Sequence, residues 1–472
     1  MQADEKKIEL FERLSIPRAT LKLCVPTVLS SLVMVLYNLA DTYFVGMLND
    51  PIQNAAVTLA APVLLAFNAV NNLFGVGTSS MMSRSLGARD YDAVRKASAF
   101  GFWCSLLGGL LISFICGVFN GPLLDLLGTA EDTRSATMDY LLWTTVCGAA
   151  PAILNVVMAY LVRSEGASLH ASIGTMSGCV LNMILDPFFI LPFGLNMGAA
   201  GAGLATMISN CFACVYFFVL LWKKRGHTYV CIDPRKARAG KRIILGIFGV
   251  GVPASIQNLL NVTGMTILNN FAAAAGADAV AAMGIAQKIN VIPFQIALGM
   301  SQGIMPLVSY NYACLNAKRM KSAVFFTGGI GTTFTLVMLA VYYIFADKLI
   351  ALFMNNAVII AYGTPFLRAM CFAIPLVVLD FIAVGVFQAC GMGSKALLFA
   401  ILRKIVLEIP LLFILNTVYP LYGLAWAQPI TELVLAIAAV LMVLGIFRKV
   451  DAQAAKRALS VAAATAPPKG EP

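Results

Sequence analysis

Charge is scarce in this chain. Only 12% of its 472 residues are Asp, Glu, Lys or Arg, while 60% are hydrophobic. A soluble globular domain carries roughly a quarter charged residues, so no soluble domain is expected. Histidine is nearly absent: His170 and His227 are the two, both in predicted loops, and they assemble no zinc-type ligand set. The 11 cysteines are scattered, and Cys211-x-x-Cys214 has no second pair beside it, so they read as small apolar groups. No Gly-x-x-x-x-Gly-Lys phosphate loop occurs, and the Gly-x-Ser-x-Gly match at 299–303 falls inside an apolar run rather than at a strand-to-helix turn, which argues against ATP hydrolysis and acyl transfer. The Asp-rich or His-containing motifs of a membrane-embedded transferase are missing too, so no enzyme is expected. The opening residues lack a short apolar core followed by a small-residue cleavage site, and no cleavable signal is expected.

Apolar runs fill the chain instead. Each is long enough to cross a ~30 Å hydrocarbon core as a helix. Twelve spans are predicted, over 21–45, 55–82, 98–119, 139–162, 172–191, 199–222, 243–271, 280–308, 323–346, 365–390, 396–418 and 422–447. The net charge of +11 does not signal nucleic acid, because its distribution follows topology. With the N-terminus cytoplasmic, 29 of the 33 basic residues fall on the cytoplasmic side, counting Arg403 and Lys404 among them. Arg134, Lys348 and Arg368 fall on the other side, and Lys288 lies inside a span. That asymmetry is the positive-inside rule, with both termini cytoplasmic. Contact with anionic membrane lipids is a second consequence.

The chain also repeats itself. At an offset of 226, Gly77 meets Gly303, Ser83 meets Ser309 and Arg95 meets Lys321. Pro26 meets Pro253, Pro151 meets Pro375, Pro187 meets Pro410, and "GAGLA" (201–205) meets "GLAWA" (423–427). Six spans per repeat return each half to the same side, which makes the repeat parallel, with a substrate path expected at its interface. The predicted fold is therefore an all-α polytopic membrane protein of two pseudo-symmetric six-helix lobes around a central cavity. Its parts are an N-terminal arm (1–20), an N-lobe (21–222), a basic linker (223–242), a C-lobe (243–447) and a tail (448–472).

Polar groups inside such spans are expensive and point to function when unpaired. Asp41 ends the first span, downstream of Pro26, which removes a backbone donor and allows a kink. Asp186 ends the fifth span, with Asn182 one turn earlier on the same face. Thr206 lies on the sixth span, where Gly201, Gly203 and Ala205 permit close helix approach. Two carboxylates, an amide and a hydroxyl at similar depth form a set suited to H⁺ or Na⁺. Asp380 has no opposite charge near it in sequence, and Lys288 is a candidate partner across the C-lobe. Gln257, Asn258 and Asn261 put amides on the seventh span. Lys404 and Glu408 are spaced as an in-helix pair. Glu432 follows Pro429 and has no assigned partner.

Taken in order, "DTYFVG" (41–46), "SRSLGARD" (83–90), "RSEG" (163–166), "LNMILDPFFI" (181–190), "GAAGAGLATMIS" (198–209) and "GMSQGIMPLVSYNYA" (299–313) resemble the multidrug and toxic compound extrusion (MATE) family, in its prokaryotic branch. The resemblance implies ion-coupled export of cationic, amphipathic organic compounds and drugs across a bacterial or archaeal cytoplasmic membrane. It implies a cation site at Asp41, Asn182, Asp186 and Thr206, with the Ala202 carbonyl as a further ligand, able to take H⁺ or Na⁺. Pro26 would be the hinge of the first helix, and the C-lobe carboxylate would fall near Asp380. No cofactor and no nucleic acid is implied, and a monomer is expected. The seventh span lacks the glutamate of other branches, and Ala313 stands where glycine is common. A lipid-linked oligosaccharide flippase of the same superfamily is the alternative. Such carriers show a cationic cavity, whereas the intramembrane charges counted here are mainly acidic.

Overall fold

A computed structural model describes residues 8–273 and 276–465. The first seven residues of the predicted arm and the last seven of the predicted tail lie outside this description. The described chain is helical throughout, without strands. Ten helices are each long and apolar enough to cross a membrane. They are α1 (Ile16–Gly46), α2 (Pro51–Gly87), α3 (Tyr91–Val118), α5 (Ser168–Ile190), α6 (Ala199–Lys223), α7 (Lys241–Ala273), α8 (Ala277–Ala313), α9 (Ala317–Ile344), α10 (Ala357–Ala389) and α12 (Tyr422–Thr465). A pair bent by 44°, Glu131–Val146 and Ala149–Ser164, is α4. The remaining span, α11, is a continuous run over 393–418. Lys395, Arg403, Lys404 and Glu408 make it too charged to register as an ordinary apolar span. Twelve spans result, as predicted.

The helix ends explain the small shifts in boundary. Pro17 starts α1 five residues earlier than its apolar run, since proline suits a first turn whose N–H has no partner. Pro51 does the same for α2, where the Asp50 side chain accepts from Ile52 N at 2.9 Å.

The repeat reappears in matched geometry. Both α3 and α9 have 28 residues. Each follows a left-handed residue, Arg89 (φ 58°) or Leu315 (φ 59°). Each is capped by the next side chain, Asp90 accepting from Ala93 N and Asn316 from Arg319 N. Ser83 Oγ donates to the Ser164 carbonyl at 2.9 Å, and its counterpart Ser309 to the Ala389 carbonyl at 3.0 Å. Helices α1–α6 form one lobe and α7–α12 the other. The lobes meet where α1 packs on α8 and, by the same pseudo-twofold, where α7 packs on α2.

The interlobe contacts cluster in the half of the bundle nearer the basic loops. Gly303 sits against Cys24, where an added Cβ would be 2.7 Å from Cys24 Cα, and Gly299 sits against Val28 in the same way at 2.8 Å. Cys24 Sγ donates to the Met300 carbonyl, and Ser255 Oγ donates to the Ala69 carbonyl at 2.6 Å. Arg163 Nη1 donates to Gln302 Oε1 at 3.0 Å. Below these contacts the segment Glu9–Arg13 ties both lobes together. Phe11 stacks on Tyr310 of α8 at 4.8 Å, while Glu12 pairs with Arg89 of the N-lobe at 3.5 Å. Arg319 of α9 donates to the carbonyls of Phe11 (2.5 Å), Leu14 (2.6 Å) and Leu10 (3.2 Å). The lobes are sealed on their basic side.

Candidate functional site

Three helices build the N-lobe cluster. Gly201 and Gly203 let α6 come close: an added Cβ would meet the Phe189 carbonyl of α5 at 2.5 Å and the Tyr140 carbonyl of α4 at 3.0 Å. This brings Thr206 beside Asn182. With its amide oriented to satisfy both ends, Asn182 donates to Asp186 Oδ2 (2.9 Å) and Oδ1 (3.3 Å). Its oxygen then accepts from Thr206 Oγ (3.2 Å) and Thr206 N (3.1 Å). Asp186 is 0% exposed and Asn182 2%. Ala202, fully buried, lies one turn before Thr206 on the same face.

Asp41 completes the group from α1. Its charge acts on Asp186, and those of both carboxylates act on Tyr37 and Tyr140. Its buried Oδ1 has no hydrogen-bond partner. No group of three or more His, Cys, Asp or Glu side chains suited to a metal ion occurs among the described residues. The donor set is all oxygen and carries two acids without a base, which fits a proton or a monovalent hard cation rather than a soft metal. Pro26 lies in α1 between Cys24 and Val28, the residues that meet α8, and one turn before Ser30, whose hydroxyl is 2.7 Å from Thr175 Oγ1 of α5. The five N-lobe residues picked from sequence thus share one corner of that lobe.

The C-lobe differs from expectation. Lys288 is exposed and does not pair with Asp380. Arg403 takes that place: its Nη2 bonds Asp380 Oδ2 and, at 3.1 Å, Glu432 Oε2. All three are buried, at 1% (Asp380), 5% (Arg403) and 2% (Glu432) exposed. The guanidinium also lies over Phe381 at 5.2 Å. Counting Arg403 and Lys404 as residues of the cytoplasmic side was wrong. Helix α11 begins near Gly393, so at 1.5 Å per residue both side chains stand about 15 Å inside it. The span predicted over 396–418 already held both residues, and that was the signal passed over. The Lys404–Glu408 pair is present at 2.6 Å, within the lobe rather than at its face. With these bases counted, the C-lobe is nearly charge-balanced and the N-lobe cluster is purely acidic.

Gln257, Asn258 and Asn261 all line a cavity of about 420 Å³ inside the C-lobe, together with Arg403, Lys404, Glu408 and Glu432. Segments with π-type turns contribute to its wall from α2 (Asn71–Val76) and α11 (Leu402–Glu408). Such turns often mark functional sites. Asn72, Val76 and Tyr160 extend the wall across the lobe boundary.

Two six-helix lobes related by a parallel repeat, sealed on one side and holding polar clusters in their interiors, define a two-lobed membrane transporter. The MatE family model matches residues 26–188 and again 253–414, one match per lobe. The chain belongs to the MATE family. It is 32% identical over 442 residues to the multidrug export protein MepA of Staphylococcus aureus, covering 93% of this chain and 96% of that protein. The MepA of Staphylococcus saprophyticus matches equally well, at 32% over 441 residues with the same coverage. An outward-facing multidrug resistance MATE transporter of the MOP superfamily superposes with a TM-score of 0.89 at 28% identity, covering 94% of this chain and 99% of its own. A MOP superfamily transporter of Pyrococcus furiosus, described as having a binding pocket of reversed polarity, gives 0.86 at 27%, with 94% and 99% covered.

Proposed function

We propose that this protein exports amphipathic organic cations and drugs in exchange for H⁺ or Na⁺, by alternating access. The observation that carries the coupling role is the pair of the part-buried Asp41 and the fully buried Asp186. It has no basic partner, yet Asn182, Thr206 and the α6 backbone bond around it. Two carboxylates acting on each other in a low-dielectric interior do not both stay ionised without a cation or proton. Occupancy changes the charge that α1 carries opposite α5, and the proline at position 26 gives α1 a place to bend in response. The distribution of the basic loops supports a cytoplasmic sealed side and, with it, an outward-facing arrangement. Export of drugs by the MepA relatives supports the substrate class.

The test is ethidium efflux from proteoliposomes under a pH gradient and, separately, a Na⁺ gradient. Wild type should respond to one of them. Asp41→Asn should lose at least tenfold of that gradient-driven flux while keeping its melting temperature. Full transport by Asp41→Asn would overturn the coupling role.

A further inference from the structure

The geometry points to the C-lobe cavity as the compartment that takes the organic cation, apart from the acids of the N-lobe. This rests on the export reading above. Neither Asp41 nor Asp186 is among the residues lining the cavity. Its volume of about 420 Å³ falls in the range of roughly 300–1,000 Å³ that holds drug-sized molecules.

Charge comes first. Arg403 with Asp380 and Glu432, and Lys404 with Glu408, place three carboxylates against two bases. One negative charge is left over in a buried setting, where an uncompensated ion is costly. A ligand bearing a single positive charge balances the cluster. A dication or an anion does not.

Polarity comes second. Gln257, Asn258, Asn261, Asn290, Gln295 and Gln428 line the same space with side-chain amides. Each amide offers donors and an acceptor without adding charge. Asn290 is 3% exposed, and neither its Nδ2 nor its Oδ1 has a partner among the described residues. Buried polar atoms of this kind are normally satisfied, so a group entering the cavity is expected to bond them. Phe294 and Phe381 stand edge to face at 6.1 Å and give the cavity an aromatic wall. The ligand class is therefore a flat monocation that also carries N–H or O–H groups. Because Asn72, Val76 and Tyr160 of the N-lobe close one side, movement of the lobes would dismantle that wall and release the ligand.

The test compares two monocations binding to the purified full chain in lipid nanodiscs. Ethidium carries aromatic amino groups, and tetraphenylphosphonium carries no hydrogen-bonding group. Asn290→Leu and Gln257→Leu should each weaken ethidium binding at least fivefold and change tetraphenylphosphonium binding less than twofold. Gln257 is half-buried, so that variant carries the comparison if Asn290→Leu does not fold. Equal ethidium affinity in wild type and both variants would overturn the cavity assignment alone. So would loss of ethidium binding in Asp41→Asn with none in Asn290→Leu. A wild type that binds neither cation would overturn the export reading itself.

Discussion

Replacing Arg403 with methionine should be among the most damaging single changes in the C-lobe. Methionine fills similar space and removes the charge. Asp380 and Glu432, at 1% and 2% exposure, are then left facing each other with no cation between them. Breaking a buried ion pair from one side costs ~3–5 kcal/mol, because the remaining charge is stranded. Here two charges are stranded, which puts the expectation at the upper end of that range. For a cooperative unit of 150–250 residues each kcal/mol moves the melting midpoint by roughly 2–4 °C. The C-lobe is of that size, so the midpoint should fall by ~10–20 °C in detergent. Lys404→Met is the control. Its partner Glu408 has a 10% exposed side chain on the cavity wall, and one bond to a charged group is worth ~1.5–3 kcal/mol, so the drop should be clearly smaller. Adding Asp380→Asn and Glu432→Gln to Arg403→Met removes the stranded charges and should recover most of the loss. An Arg403→Met protein that melts within ~2 °C of wild type would refute the triad as a buried ion network.

Two further changes test the sealed side. An added side chain at Gly251 runs into the Leu73 backbone across the lobe boundary. Gly251→Val should therefore disfavour the sealed arrangement by ~1–3 kcal/mol, the usual cost of overpacking. Spin labels at positions 89 and 318, in a cysteine-free background, should report a longer distance, and an unchanged distance would count against that contact. Arg319→Ala removes the donors that hold the Leu10, Phe11 and Leu14 carbonyls, so trypsin should cut at Arg13 at least fivefold faster. Unaltered cleavage would mean that other contacts hold the segment.

Much of the fold was legible because two signals agreed. Apolar length set the number of helices, and the repeat of Pro26 with Pro253 and Ser83 with Ser309 set their grouping. The N-lobe cluster was legible for a related reason: Asn182 and Asp186 sit one turn apart on a helix, and paired glycines mark where α6 approaches. The C-lobe was misread because a base can belong to a loop or to a span, and composition does not say which. Arg403 and Lys404 fall within the span predicted over 396–418 yet were grouped with the loop bases by charge, and the start of α11 at Gly393 puts them well inside the helix. Lys288 was misread for the opposite reason. It lies well within a long helix, but on the face turned away from the lobe interior. Residues 9–13 looked like a charged arm, and nothing local to them announces contacts with partners some 300 positions away.

Comparing the lobes shows one scaffold carrying two kinds of chemistry. The segments Ala149–Ser164 and Ile374–Ala389 are both 16 residues long, and aligning their ends, one position off the Pro151–Pro375 register, sets Asp380 against Asn155 at an offset of 225. The same offset, taken from the helix starts at Ser168 and Gly393, sets Arg403 against Gly178. The "GAGLA" to "GLAWA" register sets Glu432 against Asn210. In the N-lobe this place holds a neutral contact, with Asn155 Nδ2 donating to Asn210 Oδ1 at 3.2 Å. Gly178 packs against the Ser209 carbonyl and Ala213, leaving no room for a long base. In the reverse direction, Asp41 meets Leu268 in the Pro26–Pro253 register, and Asp186 meets Ile409 in the Pro187–Pro410 register or Leu411 at the offset of 225, and none of these carries a charge. Each lobe therefore lacks the ionisable groups that the other carries. An acid pair with no base is suited to gaining and losing a small cation, because its charge is not already neutralised. A network in which bases pair most of the acids is suited to holding a fixed shape around a larger guest. Under the proposed exchange, lobes that differ in this way would move two different cargoes through one motion, with the ion and the drug acting on opposite sides of a shared interface.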